Sequence, residues 1–228
     1  MKKILLYINF FVYHALNWNP WLAFFILFNT IRGEKKYSIN TFVPSELKKY
    51  TIAKGDISKA SPYEALNYYI LQKLLSNFRR LYPEEKSIID VGCGKGRVLA
   101  VAAYFGFIKI TGIEFAKELC EKAEKNMRQV KPNFPDIKYK IIWDNILNYR
   151  LDATDRVFFL FNPFEKEIME PFLDKIEQSV KQSPRTIYFL YANPQQLNSL
   201  LNRNYEVIYR IKKLIFLEGI IAVKPQNQ

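Results

Sequence analysis

The run Ser87-Ile88-Ile89-Asp90-Val91-Gly92-Cys93-Gly94-Lys95-Gly96-Arg97-Val98-Leu99 constrains this chain more than any other feature. A β-branched stretch ends in an acid, three alternating glycines follow, and an apolar helical pattern comes after them. Strand, glycine loop and helix in that order are how an α/β sheet brings backbone amides to a ligand. Glycines remove the Cβ and allow positive φ, and the helix after Gly96 directs its first amides at the ligand. The loop fits neither of two common nucleotide sites. A dinucleotide fingerprint counted from Gly92 wants Gly or Ala at position 97, where Arg97 stands, and no GxxxxGK[ST] phosphate loop occurs.

Downstream the sequence alternates strands with helical patterns. Lys109–Phe115 reads as a second strand reaching Glu114, 22 positions beyond Gly92. An acid at this spacing can accept hydrogen bonds from both hydroxyls of a ribose, although a helix N-terminus also favours one. The helix after it turns Leu119, Ala123 and Met127 inward, with Glu118–Lys122 and Glu121–Lys125 pairs outside. Tyr139–Trp143 reads as a third strand ending at Asp144-Asn145, which is also a common turn pair. Arg156–Phe161 is almost wholly apolar, as a parallel strand buried on both faces should be, and runs into Asn162-Pro163-Phe164. Upstream, Ser61-Pro62-Tyr63-Glu64 has the capping-box pattern with proline at the first helical position. Leu66, Ile70, Leu74 and Phe78 then form an apolar stripe.

An acid with one residue between it and a Gly-x-Gly-x-Gly loop resembles motif I of the class I, seven-β-strand methyltransferases, which use S-adenosylmethionine. The resemblance covers about two thirds of the chain. It implies that Asp90, Gly92, Gly94 and Gly96 curve around the amino-acid part of that cofactor. Glu114 would hold the ribose, Asp144 and Asn145 would sit by the adenine, and Tyr63 would line the pocket mouth. Asn162-Pro163-Phe164 resembles the [D/N/S]PP[Y/F/W] motif of amino-group methyltransferases, with one proline fewer. In that motif the polar side chain orients a target nitrogen and the aromatic packs against it. More narrowly, Tyr63, the glycine loop, the Gly112-Ile113-Glu114 strand end and Asn162-Pro163-Phe164 resemble non-SET lysine methyltransferases. The implied activity is methyl transfer to an amine, a protein lysine first among them. A nucleic-acid or small-molecule acceptor stays open, as does a membrane-associated adaptor that binds the cofactor without catalysis.

Composition excludes other chemistries. His14 is the one histidine, so a catalytic triad or a zinc site is not expected, and Cys93 and Cys120 have no metal-ligand spacing. The net charge is +12, of which residues 1–60 hold nine Lys/Arg against three Asp/Glu. Such an excess suits anionic surfaces as well as plain solubility, and no nucleic-acid-binding module is recognisable.

Ile4–Ile31 is free of formal charge over 28 positions, bounded by Lys2 and Lys3 and by Arg32, Lys35 and Lys36. A continuous helix would reach roughly 42 Å, more than the ~30 Å hydrocarbon layer. His14, Asn17, Asn19 and Pro20 interrupt it, however, giving Ile4–Tyr13 and Trp21–Ile31. Tyr7, Tyr13, Trp18 and Trp21 suit a membrane interface. Three arrangements stay open: a kinked span, an interfacial helical hairpin, or helices packed on the catalytic domain. The location expected is cytoplasmic, with the cytoplasmic face of a membrane as an option.

The remainder completes the pattern. Pro171–Val180 reads as a helix, Thr186–Tyr191 as a strand and Pro194–Asn202 as a short helix. Tyr205–Leu214 and Phe216–Val223 are too close for a crossover and should pair antiparallel. The whole reads as a Rossmann-like, doubly wound α/β fold: a mostly parallel seven-stranded sheet with an antiparallel C-terminal hairpin. Its segments are a hydrophobic helical appendage at 1–36, an irregular basic connector at 37–60 and the catalytic domain at 61–228.

Overall fold

A computed structural model describes residues 2–42, 51, 65–161 and 165–226. Seven strands form one sheet: β1 (Ser87–Val91), β2 (Lys109–Glu114), β3 (Lys138–Trp143), β4 (Val157–Phe161), β5 (Ile187–Ala192), β6 (Glu206–Lys213) and β7 (Leu217–Lys224). Their order is β3-β2-β1-β4-β5-β7-β6. β1 to β5 run parallel, and β7 lies antiparallel between β5 and β6. The expected sheet and its C-terminal hairpin are present. Chain order reverses between β1 and β4, and open α/β sheets bind ligands outside the strand ends at such a point.

Alternation along the strands accounts for the two covered faces. In β4, Val157 and Phe159 enter one core with α3 (Tyr68–Leu81), α4 (Arg97–Tyr104) and α5 (Lys117–Val130). Phe158 and Leu160 enter the opposite core with α6 (Lys166–Gln182) and Leu200 of α7 (Leu197–Leu201). Leu119, Ala123 and Met127 are buried as expected, while the Glu118 carboxylate accepts the Thr51 N–H.

Two helix starts differ from the sequence reading. α3 begins at Tyr68, because the Asn67 side chain accepts the Tyr69 N–H and caps the helix; residues 65–67 are irregular. The Ser61–Glu64 capping box lies outside the described residues. α6 begins at Lys166, and Pro171 sits inside it rather than at its start. The proline forfeits a hydrogen bond there, and buried Met169, Phe172, Leu173 and Ile176 outweigh that loss.

The N-terminal residues form α1 (Lys2–Asn17) and α2 (Pro20–Tyr37). Asn19 caps α2 by accepting the Leu22 N–H at 2.7 Å, and Pro20 fits the first helical position. The chain therefore folds back at the polar cluster. Phe42, just beyond α2, packs against Tyr7 and Phe10 of α1, so the helices form an antiparallel hairpin. Among the described residues no helix is long and apolar enough to cross a membrane.

α2 runs through the basic residues 32–36 and Tyr37, one residue into the expected connector, and is capped at Ser38 in the left-handed region. Tyr37 and Ile39 belong to the main core. α2 rests on α3 through Gly33, where a Cβ would stand 2.4 Å from the Tyr68 ring; no other residue allows that approach.

Candidate active site

β1 delivers Asp90 and Val91 to the reversal point, and the glycine loop follows. Gly92, Gly94 and Gly96 have φ of 73°, 53° and 77°, the region that side chains disfavour. The amides of Gly92 and Cys93 both donate to the Ile113 carbonyl, at 2.8 and 3.0 Å, which fastens the loop to β2. Gly96 caps α4, and a Cβ there would meet Ala123 of α5 at 3.1 Å. Positive φ and close helix packing both require glycine at that position.

Glu114 ends β2 and is buried against the loop. Its Oε2 accepts the Gly94 N–H at 2.8 Å and its Oε1 accepts the Ala116 N–H at 2.9 Å. Burial raises its pKa above the usual carboxylate range, and the amide bonds pull the other way. Asp90 is 2% exposed, and its Oδ2 has no hydrogen-bond partner among the described residues. Burial first, and the Glu114 charge second, push its pKa well up. Two acids in one dry pocket repel each other and favour any donor that enters.

Asp144 follows β3 at the same end of the sheet, where its N–H reaches the Glu114 carbonyl at 3.1 Å. Its Oδ1 accepts from the Asn145 amide and from Asn148 Nδ2, and Asn145 Oδ1 accepts the Leu147 N–H. The pair is thus an organised turn as well as a pocket edge. Asp90, the three glycines, Glu114, Asp144 and Asn145 all lie at the carboxyl end of β1–β3. Tyr63, Asn162, Pro163 and Phe164 lie outside the described residues.

Other reactive groups are disposed elsewhere or silenced. His14 stays on α1, with Nδ1 2.9 Å from the Phe10 carbonyl. Burial raises the Cys93 thiol well above its ordinary range and Cys120 to about 12, so neither supplies a thiolate at neutral pH.

One cluster beside the site has no counterpart in the sequence reading. Arg97, the first residue of α4, is 4% exposed; its Nε donates to the Thr41 hydroxyl at 2.7 Å and Nη1 to the Leu66 carbonyl. Nη2 lies 3.5 Å from Glu34 Oε1 on α2, and the guanidinium stacks 4.2 Å from the Tyr68 ring centroid. Glu34 Oε1 also accepts the Thr41 N–H and hydroxyl. Beside it, Asn126 of α5 donates to the Lys95 carbonyl at 2.8 Å and accepts the Asn40 N–H at 3.2 Å. The glycine loop is thereby tied to α2 and the segment after it. Lys95 is buried in this seam, which lowers its pKa to about 8 with help from Lys122. The position that excluded a dinucleotide fingerprint turns out to be a docking residue. Only the long-range partner, 63 residues away, could have signalled it.

Residues 88–183 match the family model of a methyltransferase domain. The chain superposes on a Pyrococcus horikoshii protein described as a candidate RNA methyltransferase (PH1948). The TM-score is 0.54 at 17% identity, covering 79% of this chain and 95% of that one. A bacterial Hen1 methyltransferase domain gives 0.53 at 15%, covering 71% and 100%. A candidate methyltransferase of Escherichia coli, YhhF, gives 0.54 at 14%, covering 73% and 92%. No curated protein matches the sequence. At these identities the likenesses establish the fold, and the family match and strand order agree with it. Residues 88–183 thus match a methyltransferase domain, and the strand order is that of the class I methyltransferase fold, whose cofactor is S-adenosylmethionine. The residues present fit that cofactor: left-handed glycines leave the backbone open to it, and a buried Asp90 oxygen has no donor among the described residues.

Proposed function

We propose that the chain transfers a methyl group to an amine nitrogen, with a protein lysine as the leading acceptor. The observation that carries this reading is the strand reversal. The glycine loop leaves β1 and the Asn162-Pro163-Phe164 motif follows β4, its parallel neighbour. The cofactor, when bound, supplies an electrophilic methyl group. Asp90 would meet its ammonium, Glu114 would accept from its ribose hydroxyls with the acceptor capacity left by two amides, and Asp144 and Asn145 would flank its adenine. On the sequence resemblance, Tyr63 would close the pocket mouth, and Asn162 and Phe164 would orient and pack against the acceptor nitrogen.

An amide is no base, so a lysine acceptor must arrive neutral despite a reference pKa of ~10.4. An aromatic, water-poor pocket favours the neutral form, and positioning supplies most of the remaining rate. Methyl-label transfer to a fractionated lysate identifies the acceptor. Asn162→Ala should depress the single-turnover rate by ~10–100-fold, the range expected for one lost hydrogen bond of ~1.5–3 kcal/mol, with cofactor affinity nearly unchanged. The wild-type rate should rise from neutral to alkaline pH. Full activity in Asn162→Ala would remove the motif from the mechanism, and a flat pH profile with chemistry limiting would rule out lysine.

A further inference from the structure

The α1–α2 hairpin packs one side on the domain and leaves the other to solvent. On α1, Ile4, Ile8, Val12 and Leu16 recur every fourth residue as an exposed row, with Leu16 81% accessible. On α2, Trp21, Phe24, Phe28 and Ile31 make the matching row, with Trp21 76% accessible. Tyr13 and Trp18 are exposed at the bend, whereas Tyr7 packs on Phe42. A soluble surface would not place apolar side chains in register like this.

A second element extends the face. The β6–β7 turn holds Leu214 and Ile215 at φ of 50° and 65°, the left-handed region natural to glycine and asparagine, with Ile215 88% exposed. A β-branched residue at positive φ is a strained choice, and here its side chain serves no packing. Lys213 beside it lies 6.0 Å from the Phe25 ring of α2, so turn and hairpin are neighbours. Because β6 runs parallel to β5, this turn opens at the carboxyl end of the sheet, the end that holds the glycine loop. α2 is docked at that same end through Glu34 and Arg97.

We infer that the α1–α2 hairpin and the β6–β7 turn together lie on an anionic lipid bilayer, with the cofactor end of the sheet facing it. Charge selects this occupant. Residues 1–37 hold five cations and a single acid, Glu34, which is buried against Arg97. Arg32, Lys35 and Lys36 end the apolar row of α2, and Lys212 and Lys213 precede the turn. Apolar rows, aromatics and a cationic margin are the pattern of helices lying in the headgroup plane. A second copy fits poorly, because pairing would bring two chains of +12 together.

The test is flotation of the full chain with vesicles of phosphatidylcholine alone and of phosphatidylcholine mixed with phosphatidylserine. Binding should need the anionic lipid and weaken with salt. Phe24→Ser with Phe28→Ser should lower partitioning by roughly tenfold or more, since both side chains would leave lipid. Leu214→Asn with Ile215→Gly relieves the backbone, so this variant should fold at least as stably as the parent and still bind less. Three results would overturn the inference: no binding to anionic vesicles at low salt, full binding by both variants, or lipid-free dimers that occupy the face and block vesicles.

Discussion

Replacing Glu34 by alanine tests whether α2 and the glycine loop are one mechanical unit. The change leaves Arg97 buried at 4% exposure without its acid and deprives the Thr41 N–H of its acceptor. Breaking a buried pair from one side costs ~3–5 kcal/mol. Arg97 keeps the Thr41 hydroxyl, the Leu66 carbonyl and the Tyr68 face, and its approach to Glu34 is 3.5 Å, so the lower end applies. A loss of ~3 kcal/mol lowers Tm by about 6–12 °C in a chain of this size. Arg97→Met alone should cost about as much, because it strands Glu34 instead. The double variant removes both charges and should lose only ~1–2 kcal/mol, chiefly through the lost bonds from Thr41 to Glu34. Urea and thermal denaturation of the four proteins give the cycle. If the double variant loses the sum of the singles to within ~0.5 kcal/mol, the pair is not coupled and the reasoning fails.

Three further outcomes are expected. Glu114→Ala should weaken S-adenosylmethionine binding by ~10–100-fold in calorimetry, the value of charged hydrogen bonds at ~1.5–3 kcal/mol; unchanged affinity in a folded variant would remove Glu114 from the ribose. Asp90→Asn should raise unliganded stability at neutral pH by ~1–3 kcal/mol while weakening the cofactor. The folded state holds the Asp90 proton above the unfolded pKa, so wild-type stability falls as pH rises through the raised value; the variant should lack that fall, and a matching slope would refute the assignment. Lys95 has a folded pKa of about 8 against an ordinary 10.5, so the unfolded chain binds more protons between those values. Its burden on stability is full below pH 8 and lifts toward pH 10.5, and the wild type should gain on Lys95→Met across that window in paired melts. A constant difference would place the Lys95 ammonium in water.

The sheet was legible because its signals are local. Apolar runs at β1, β2, β4 and β5 lie between turn residues, and the short connection from β6 to β7 admits only an antiparallel pair. That the glycine loop meets Glu114 was legible for the same reason, since the two follow consecutive strands. What escaped depends on distance along the chain. Asn67 caps α3 although a stronger capping pattern stands six residues earlier. Glu34 reads as an ordinary helix-end acid until Arg97 is seen beside it. Residues 1–36 therefore read as a detachable appendage, yet cutting near Ser38 would take away Glu34, Gly33 and Tyr37 and open the core over Tyr68. Loss of lipid binding in such a truncated chain would be ambiguous, which is why surface substitutions make the sharper test.

The two parts of the exposed face differ in how freely they can change. α2 is bolted to the glycine loop through Arg97, so altering its buried side disturbs that loop as well. The β6–β7 tip projects from the edge of the sheet, with Ile215 almost wholly in solvent. Residues 214–216 can drift between lipid-seeking and water-seeking sequences, and the more polar choices would even relax the backbone. With the face seated on lipid as inferred, the strength of that seating can thus change at this tip while the glycine loop and its neighbours are left alone.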